Sequence, residues 1–469
     1  RVTGDAPDTQ PRFVKAGDFV ESFGLSPGGE RALFGARGEV FTVPVKEGEP
    51  RNISRSPDAR EHSASWSPDG SQVAWLSDAS GEYEIWVQAQ DGKGEPRRVT
   101  NDGDIWRFAP VWSPDSKKLA YADKRQRLRV VDVASGSTGE VDAGTFADIT
   151  QYVFSPDSRF LVYVKQHANG NGALWLHALD TGATRQLTSA ETTAMSPAFD
   201  PKGRYLYFLS NRDFNLAFSS YEFNWLYRDA TRIYAATLAA DGPALYRPRP
   251  DEVGQAAEEA ADKSGEDGKD GAIARLVFDI PGFDQRTVVL NAPAGNYQEL
   301  SASAEGVFFL GMTGSGRGGA AAELGFLSLK PDAKVQKVAE ATGYALSADG
   351  KKLLVRNGKQ FSIVDAKPEA DLAKGKLALD RMELRIEPAR EWNQMFVDAW
   401  RILRDWFYDP GMHGQDWNAI RAQYEPLARA ARTRADLDHV LQELVGELNS
   451  GHVYVESGDQ PAVTRRPGG

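Results

Sequence analysis

The stretch Trp66-Ser67-Pro68-Asp69-Gly70, followed by Val73-Ala74-Trp75-Leu76, decides the fold of this chain. Pro68 presets the backbone φ for the first corner of a tight turn, and Asp69-Gly70 tolerates the remaining dihedral angles of such a turn. The apolar run that follows has the pattern of a β-strand. The stretch therefore predicts the turn of a β-hairpin and the strand that leaves it.

The same phrase recurs along the whole chain. Its proline, or the residue in its place, falls at positions 27, 68, 114, 156, 201, 304 and 348, so that every step but one is 41 to 46 residues. A period in the forties with several strands per repeat is typical of a β-propeller. We predict a mainly β fold, a seven-bladed β-propeller, with six or eight blades as the alternatives. An irregular β-sandwich that reuses the same turns would not explain the regular spacing.

The one long step, from 201 to 304, needs a separate interpretation. Segments 221–227, 233–238, 276–279 and 287–290 look like strands, so the step can hold up to two blades' worth of strands. Between them, Gln255 to Gly271 is rich in Ala, Glu, Asp, Lys and Gly and contains no aromatic residue. Such a composition cannot bury enough apolar surface to pack. We predict an acidic, mobile insertion at about 251–273.

After the propeller the apolar period changes from 2 to 3.6 residues, which indicates helices. We predict three helices: about 391–409, about 416–431 with a break or bend at Pro426, and about 434–448. Thr433 is the expected N-cap of the third helix, with Asp436 at position N3. The predicted organisation is a propeller over 1–386, a small three-helix subdomain over 387–456 and a tail or linker over 457–469.

Composition excludes several classes of function. The chain of 469 residues is 41% hydrophobic and 26% charged, with a net charge of −11, which argues against binding to nucleic acid or to an anionic membrane surface. It has no cysteine, which excludes disulfides, thiolate zinc sites and a cysteine nucleophile. No apolar run approaches the roughly 20 residues of a membrane helix. The chain opens at Arg1 without a signal-peptide pattern, which suggests a processed protein or a fragment of a longer one.

Six histidines are the main candidates for chemistry. None has a second histidine at metal-ligand spacing, so we expect no metal and no cofactor. Neither a Gly-x-Ser-x-Gly nucleophile elbow nor a phosphate-binding loop occurs. Five histidines are interpreted as structural or surface residues: His62, His167, His177, His413 and His439. His452 follows the third helix in Asn449-Ser450-Gly451-His452-Val453-Tyr454, on a backbone able to aim the ring, although a lone histidine after a helix is more often structural.

A resemblance changes the interpretation of His452. The order of propeller, three helices and Asn449 to Tyr454 resembles tricorn-type proteases, serine peptidases of the tricorn and C-terminal-processing group. The segments 37–41, 77–84 and 280–286 are similar to the second propeller of that family. The resemblance covers essentially the whole chain.

This resemblance implies a function and a set of partners. In such proteases another propeller precedes this one, and a PDZ domain and a second catalytic subdomain follow the helices. That subdomain carries the serine nucleophile, the oxyanion hole and a glutamate, whereas the general base is at the position of His452. The chain continues for 17 residues after His452, to Gly469, so we expect those groups outside this sequence. The family archetype has a serine directly before the histidine; here that position is Gly451, and Ser450 is the possible orienting group.

The resemblance also implies peptide substrates, a propeller that acts as a gated substrate channel, a homo-oligomer and a cytoplasmic location, with the periplasm as the alternative. A rival hypothesis is a non-catalytic TolB-like propeller that binds partners through its channel. A propeller-bearing prolyl oligopeptidase is disfavoured, because it requires a nucleophile elbow on an α/β-hydrolase domain.

Overall fold

A computed structural model describes residues 7–220, 223–227, 229–246, 275–313, 321–456 and 458. The predicted insertion at 251–273 and the predicted tail, apart from position 458, lie outside these residues. Seven sheets form the blades of a propeller in the order of the sequence, and only blade 5 is interrupted, by a separate two-stranded hairpin, among the described residues. The prediction of a seven-bladed, mainly β fold with three helices at its C-terminal end is confirmed.

The first strand, β1 (Arg12–Lys15), lies outside the seven blades. Blade 1 contains β2 (Val20–Leu25), β3 (Arg31–Ala36), β4 (Glu39–Pro44) and β5 (Arg51–Asn52). Blade 2 contains β6 (Glu61–Trp66), β7 (Gln72–Ser77), β8 (Glu84–Ala89) and β9 (Arg97–Arg98). Blade 3 contains β10 (Val111–Trp112), β11 (Lys118–Ala122), β12 (Arg127–Asp132) and β13 (Thr138–Ala143).

Blade 4 contains β14 (Tyr152–Phe154), β15 (Phe160–Gln166), β16 (Gly172–Ala178) and β17 (Ala183–Gln186). Blade 5 and its extra hairpin contain β18 (Ala194–Phe199), β19 (Tyr205–Ser210), β20 (Leu216–Ser219), β21 (Asn224–Tyr227), β22 (Arg232–Thr237) and β23 (Thr287–Val289). Blade 6 contains β24 (Tyr297–Ala302), β25 (Gly306–Thr313), β26 (Ala321–Ser328) and β27 (Gln336–Glu340). Blade 7 contains β28 (Gly343–Leu346), β29 (Lys352–Asn357) and β30 (Gln360–Asp365), and β31 (Glu383–Ile386) pairs with β1.

Each predicted turn joins the first two strands of a blade, and in blades 2, 3, 4 and 7 a serine and an aspartate of the turn hold it closed. In blade 2, Ser67 Oγ donates to Asp69 Oδ1 at 2.6 Å and accepts from the Gln72 amide at 2.9 Å. The Asp69 amide also donates to Ser116 Oγ in the turn of blade 3, at 3.0 Å. A local turn motif therefore also links neighbouring blades.

The ring closes by packing rather than by a shared sheet. Phe361 of blade 7 lies edge-on to Phe23 and Phe34 of blade 1, with ring centroids 5.3 and 4.9 Å apart. These rings belong to a buried cluster that also contains Leu384 and Ile386 of β31. Blade 1 and blade 7 are separate sheets that share no strand. The burial of apolar side chains between them therefore closes the ring.

The long step contains one additional hairpin and no additional blade among the described residues. It holds three strands of blade 5, the first strand of blade 6 and the separate hairpin β20–β21, which stays within the predicted limit of two blades' worth of strands. The predicted strand at 276–279 is irregular, because Leu276 is buried against blades 4 and 5 without pairing as a strand.

The three predicted helices are present: α1 (Pro388–Trp406) begins and ends three residues earlier than predicted, and α2 (Trp417–Ala430) and α3 (Arg434–Gly446) are each two residues shorter. Pro426 lies inside α2. Their shared core contains Phe396, Trp400 and Leu437. Trp400 Nε1 donates to the Trp417 carbonyl at 2.8 Å and Trp417 Nε1 donates to the Trp400 carbonyl at 3.0 Å, so that α1 and α2 are joined by a reciprocal pair of hydrogen bonds.

Candidate active site

The helices are held on the propeller by the loop 78–83, which joins β7 to β8 in blade 2. Arg401 of α1 is 1% exposed, and its Nη1 lies 3.0 Å from Asp78 Oδ2 and 3.1 Å from Asp398 Oδ1. Its Nη2 donates to the Gly81 carbonyl at 2.7 Å. The guanidinium thus joins two carboxylates and a carbonyl across the junction. A buried cation with such partners fixes one geometry, because any other placement leaves charges without partners.

Two further side chains complete this arrangement, which we call the Arg401 network (Arg60, Asp78, Tyr83, Asp398 and Arg401). Tyr83 Oη donates to Asp398 Oδ1 at 2.7 Å, and Arg60 Nη1 lies 2.7 Å from Asp398 Oδ2. Burial raises the pKa of the Tyr83 hydroxyl, and the neighbouring Asp398 carboxylate raises that pKa further. Tyr83 therefore stays a neutral donor throughout the physiological pH range.

The C-terminal end of α1 is held on the propeller by aromatic contacts as well as by ion pairs. The sequence places Trp406 on the apolar face of this helix, but Trp406 is half-exposed and instead lies edge-on to Trp106 and Phe108 of the propeller. The ammonium of Lys124 lies 4.2 Å from the centre of the Trp406 ring. The amphipathic pattern thus predicts the helix, whereas the contact of Trp406 with the propeller has no signal in the sequence.

A cleft of about 390 Å³ lies between blades 1 and 2, α1 and α3. Glu39 lines it, and burial, with a contribution from the negative charge of Glu391, raises the Glu39 pKa to about 7 against the opposing hydrogen bond from Asn52. Behind it, burial raises the pKa of Glu61 to about 8, and the charges of Glu39 and Asp78 act in the same direction against hydrogen bonds from two serines. Two carboxyl groups beneath the junction therefore favour the protonated form near neutral pH.

The third helix carries the chain toward His452 and is fixed at both ends. At its start, Thr433 Oγ1 accepts from the Asp436 amide at 3.1 Å, and Asp436 Oδ2 accepts from the Thr433 amide at 2.9 Å. This reciprocal capping box is as predicted from the sequence. At its end, Leu448 is fully buried in the helical core.

His413 ties the loop after α1 to the end of α3. Its Nδ1 lies 2.7 Å from the Leu448 carbonyl oxygen, and its Nε2 contacts the Tyr408 hydroxyl. Because a carbonyl only accepts, Nδ1 carries the proton, and Nε2 accepts from Tyr408. The sequence suggested a structural or surface role for His413, and this histidine is structural; the particular partner, 35 residues away, had no sequence signal.

His452 lies in the turn that follows α3, with its side chain exposed to solvent. Asn449 and His452 both have positive φ, 45° and 62°, so both residues adopt the left-handed conformation that non-glycine residues seldom occupy. The ring Nδ1 is 3.4 Å from the Tyr454 hydroxyl. Within the described residues the ring makes no other hydrogen bond, and Ser450 makes none to it. The structure thus brings Tyr454, and not Ser450, to the ring.

His62 and His177 are accounted for by packing, whereas His439 on α3 is exposed. His62 is buried, stacks on Trp106 with ring centroids 5.2 Å apart, and has a pKa lowered to about 3 by burial and by the charge of Arg60. His177 Nδ1 lies 2.8 Å from Thr184 Oγ1. Throughout the described ranges, no group of three or more His, Asp or Glu side chains could hold a metal ion. Among the same residues no helix is long and apolar enough to span a membrane.

Two family models match this chain, one over the propeller and one over the helices. Residues 20–367 match the family described as the tricorn protease second beta propeller domain, and residues 388–446 match the tricorn protease C1 domain. The first of these matches covers most of the chain. The chain belongs to the tricorn protease family.

Individual relatives agree with this assignment. Tricorn protease homolog 1 of Streptomyces coelicolor is 28% identical over 480 residues, covering 97% of this chain and 44% of the relative. The tricorn protease of Thermoplasma acidophilum is 25% identical over 353 residues, covering 72% of this chain and 31% of the relative. The chain therefore spans less than half the length of these tricorn relatives.

A solved tricorn protease has the same fold. Its crystal structure matches with a TM-score of 0.79 at 20% identity, over 95% of this chain and 42% of that one. Since the aligned region includes nearly all of this chain, the order of propeller and helices is that of the tricorn structure.

Proposed function

We propose that this chain is the propeller and histidine-bearing part of a tricorn-like serine peptidase that hydrolyses peptide bonds. The observation that carries the proposal is the placement of His452 in an exposed turn directly after α3, where Tyr454 is the one described side chain within hydrogen-bonding distance of the ring, at Nδ1. A general base needs one ring nitrogen oriented by a partner and the other open to the nucleophile. Family membership supports the peptidase activity.

In this proposal the serine nucleophile, the oxyanion hole and a glutamate come from parts of the protease outside this sequence. As the serine oxygen attacks the peptide carbonyl carbon, His452 Nε2 takes its proton, and the imidazolium then returns that proton to the leaving amine. Tyr454 is proposed as a positioning residue through its contact with Nδ1. Among the residues that the structure describes, Ser450 makes no hydrogen bond to the ring that would support the orienting role suggested by the sequence.

The propeller is proposed to admit peptides to the catalytic chamber, with a PDZ domain joined through the segment after 456. The Arg401 network supports this division of labour, because it fixes the helices on one face of the ring. Family resemblance also supports a cytoplasmic location; cell fractionation that recovers the protein in the periplasm would establish the alternative.

The first test is hydrolysis of fluorogenic peptides by a form of the protease that carries the remaining domains. We expect His452→Ala to lower kcat/KM by roughly 10⁴-fold or more, the usual cost of losing a catalytic histidine. His439→Ala, at an exposed histidine on α3, is the matched control and should leave the activity unchanged. Tyr454→Phe should lower kcat by roughly 10-fold with little change in KM, since it would affect orientation of the base and not binding.

Retention of full activity in His452→Ala would disprove the general-base role. A wild-type protein with all its domains that hydrolyses no peptide would instead support the non-catalytic binding function.

A further inference from the structure

Three first strands of the propeller carry the same irregularity at the same place. The strands β6, β18 and β24 each contain a β-bulge, and one residue of each bulge has positive φ: Ser63 (54°), Ser196 (51°) and Glu299 (52°). Each of these residues lies five positions before the proline position of the turn in its blade. A residue with a Cβ atom is strained in this conformation, whereas glycine is not. Strain that recurs at equivalent positions suggests a function for the side chains that stand there.

The bulge side chains differ in whether they have a partner. In blade 2, Ser63 Oγ lies 2.9 Å from His62 Nδ1, so this side chain has a structural contact. Among the described residues, neither Ser196 Oγ nor the Glu299 carboxylate makes a hydrogen bond or an ion pair. The backbone strain in blades 5 and 6 is therefore not offset by a described contact of the strained side chain itself.

Ser196 and Glu299 line one cavity of about 390 Å³ near the centre of the ring. First strands of neighbouring blades contact one another, which places them around the axis of the ring. These strands begin on the face that carries the helices, as β6 does beside the loop 78–83, where Glu61 pairs with Ser77. The other residues that line the cavity are all uncharged: Gln151, Met195, Thr231, Asn296, Tyr297 and Gln298.

The cavity contains a carboxylate that no described cation neutralises. Within the described residues, no lysine or arginine lies at ion-pair distance from Glu299. Partial burial raises the pKa of the Glu299 carboxyl, because the surrounding strands exclude part of its hydration. Arg232 is engaged elsewhere, since it is paired with Asp213 and its Nη1 donates to the Ala292 carbonyl at 3.2 Å. A cation that enters the cavity would therefore find an acceptor without competition.

We propose that this cavity binds the positively charged amino terminus of an extended peptide, with Glu299 and Ser196 accepting hydrogen bonds from the ammonium group. The inference rests on the proposed peptidase function for its class of ligand, and it adds which end of the peptide the ring holds. An ammonium group has three N–H donors, so it uses several acceptors at once. The cavity thus supplies the carboxylate and the hydroxyl that an ammonium group requires.

Side-chain amides beside the carboxylate favour an amino terminus over a lysine side chain. Gln151 Oε1 accepts from the Ser196 amide at 2.7 Å, and among the described residues its Nε2 group has no partner. Gln298 adds a second amide to the lining. The amino terminus of a peptide stands directly next to its first peptide carbonyl, so one ligand presents a cation and an amide group together. A lysine ammonium instead ends a flexible stem of methylene groups, which side-chain amides do not match.

The test is direct binding of a peptide to this chain, measured by fluorescence anisotropy and without any hydrolysis. The probe is a short peptide of Ala, Gly and Ser with a free amino terminus and a fluorophore at its other end. Acetylation of the amino terminus should weaken binding by roughly 10-fold or more, because it removes the charge from a charge-assisted hydrogen bond. Glu299→Gln should weaken binding of the free peptide by a similar factor and leave the affinity for the acetylated peptide unchanged. Glu305→Gln, at an exposed glutamate of the same blade, is the matched control.

A second measurement separates a binding role from a structural one. Ser196→Gly and Glu299→Gly relieve the backbone strain, so each should raise the midpoint of thermal unfolding by roughly 2 °C while weakening peptide binding. Ser63→Gly changes the equivalent bulge outside the cavity and should leave peptide binding unchanged. A lower midpoint in both Ser196→Gly and Glu299→Gly would show that these side chains stabilise the fold, and would overturn the proposal.

Three binding results would also overturn it. They are equal affinity for the free and acetylated peptides, normal binding by Glu299→Gln, and tighter binding of an acetylated lysine-containing peptide than of the free probe. A chain that binds no peptide, beside a complete protease that remains active, would remove this inference and leave the proposed function. A complete protease that binds the probe through Glu299 and hydrolyses nothing would remove the proposed function and leave this inference.

Discussion

The blades and the junction between propeller and helices are built in opposite ways. Neighbouring blades share apolar clusters, such as Leu76 of blade 2 with Tyr121 of blade 3, and repeat one turn motif. The junction instead buries the Arg401 network, in which each charge depends on partners far away in the sequence. Apolar packing tolerates small changes in each blade, whereas a buried ion network allows one arrangement only. The difference suggests that the ring is built for regular stacking and the junction for a single orientation of the helices.

The largest expected effect comes from breaking the junction. Arg401→Met keeps a similar volume but leaves Asp78 and Asp398 buried without this cation, so we expect the protein to lose about 4 kcal/mol of unfolding free energy. Chemical denaturation would measure the loss, and limited proteolysis should show the helices cleaved first. Arg429→Met, at an exposed arginine of α2, is the control and should stay within about 0.5 kcal/mol of wild type. Equal losses in both variants would mean that the junction does not depend on the network.

A smaller effect should appear in how the stability of the protein depends on pH, because Glu61 is buried beneath the same junction. The pKa of Glu61 is raised to about 8 in the folded protein, so above the unfolded value of 4.5 the folded state holds a proton that the unfolded state has released. Stability from this group is therefore fully present at low pH and falls as pH rises toward 8. Glu61→Gln mimics the protonated form and should stabilise the protein by about 2 kcal/mol at pH 8.5 and by much less at pH 5.

Thermal unfolding at the two pH values would measure this difference. Glu305→Gln, at an exposed glutamate of blade 6, provides the control and should show no such pH-dependent gain. A Glu61→Gln variant that is destabilised equally at both pH values would contradict a protonated Glu61. It would show that the hydrogen bonds of the carboxylate stabilise the fold.

The smallest effect is expected within a single blade. Ser67→Ala removes the acceptor of the Gln72 amide and the donor to Asp69, and should cost about 1 kcal/mol, because blades on both sides still support the turn. Ser71→Ala, at an exposed serine of the same turn, should be nearly neutral. A loss for Ser67→Ala as large as that for Arg401→Met would remove the contrast between blade and junction.

Sequence reasoning succeeded where structure is local and repeated. The seven turns, the three helices and the Thr433 capping box each depend on residues within a few positions of one another, so their pattern is visible in the chain. It failed at 276–279, where Leu276 is buried without pairing as a strand, and it missed β20 and the hairpin as a separate sheet. Those outcomes depend on which neighbours the chain meets after folding.

The same division applies to the candidate site. The sequence singled out His452 through the resemblance of Asn449 to Tyr454, after a propeller and three helices, to tricorn-type proteases, and the catalytic role of His452 remains a prediction. Only the tertiary structure decided that Tyr454 contacts the ring, that His413 holds the Leu448 carbonyl, and that Arg401 meets Asp78. Arg401 meets Asp78 because the helices dock on one face of the ring, and a contact across hundreds of residues leaves no periodicity in a single sequence. The contact of His413 depends on how the loop after α1 packs on the end of α3, and the contact of Tyr454 depends on the backbone of the turn, neither of which is visible in a pattern of residue types.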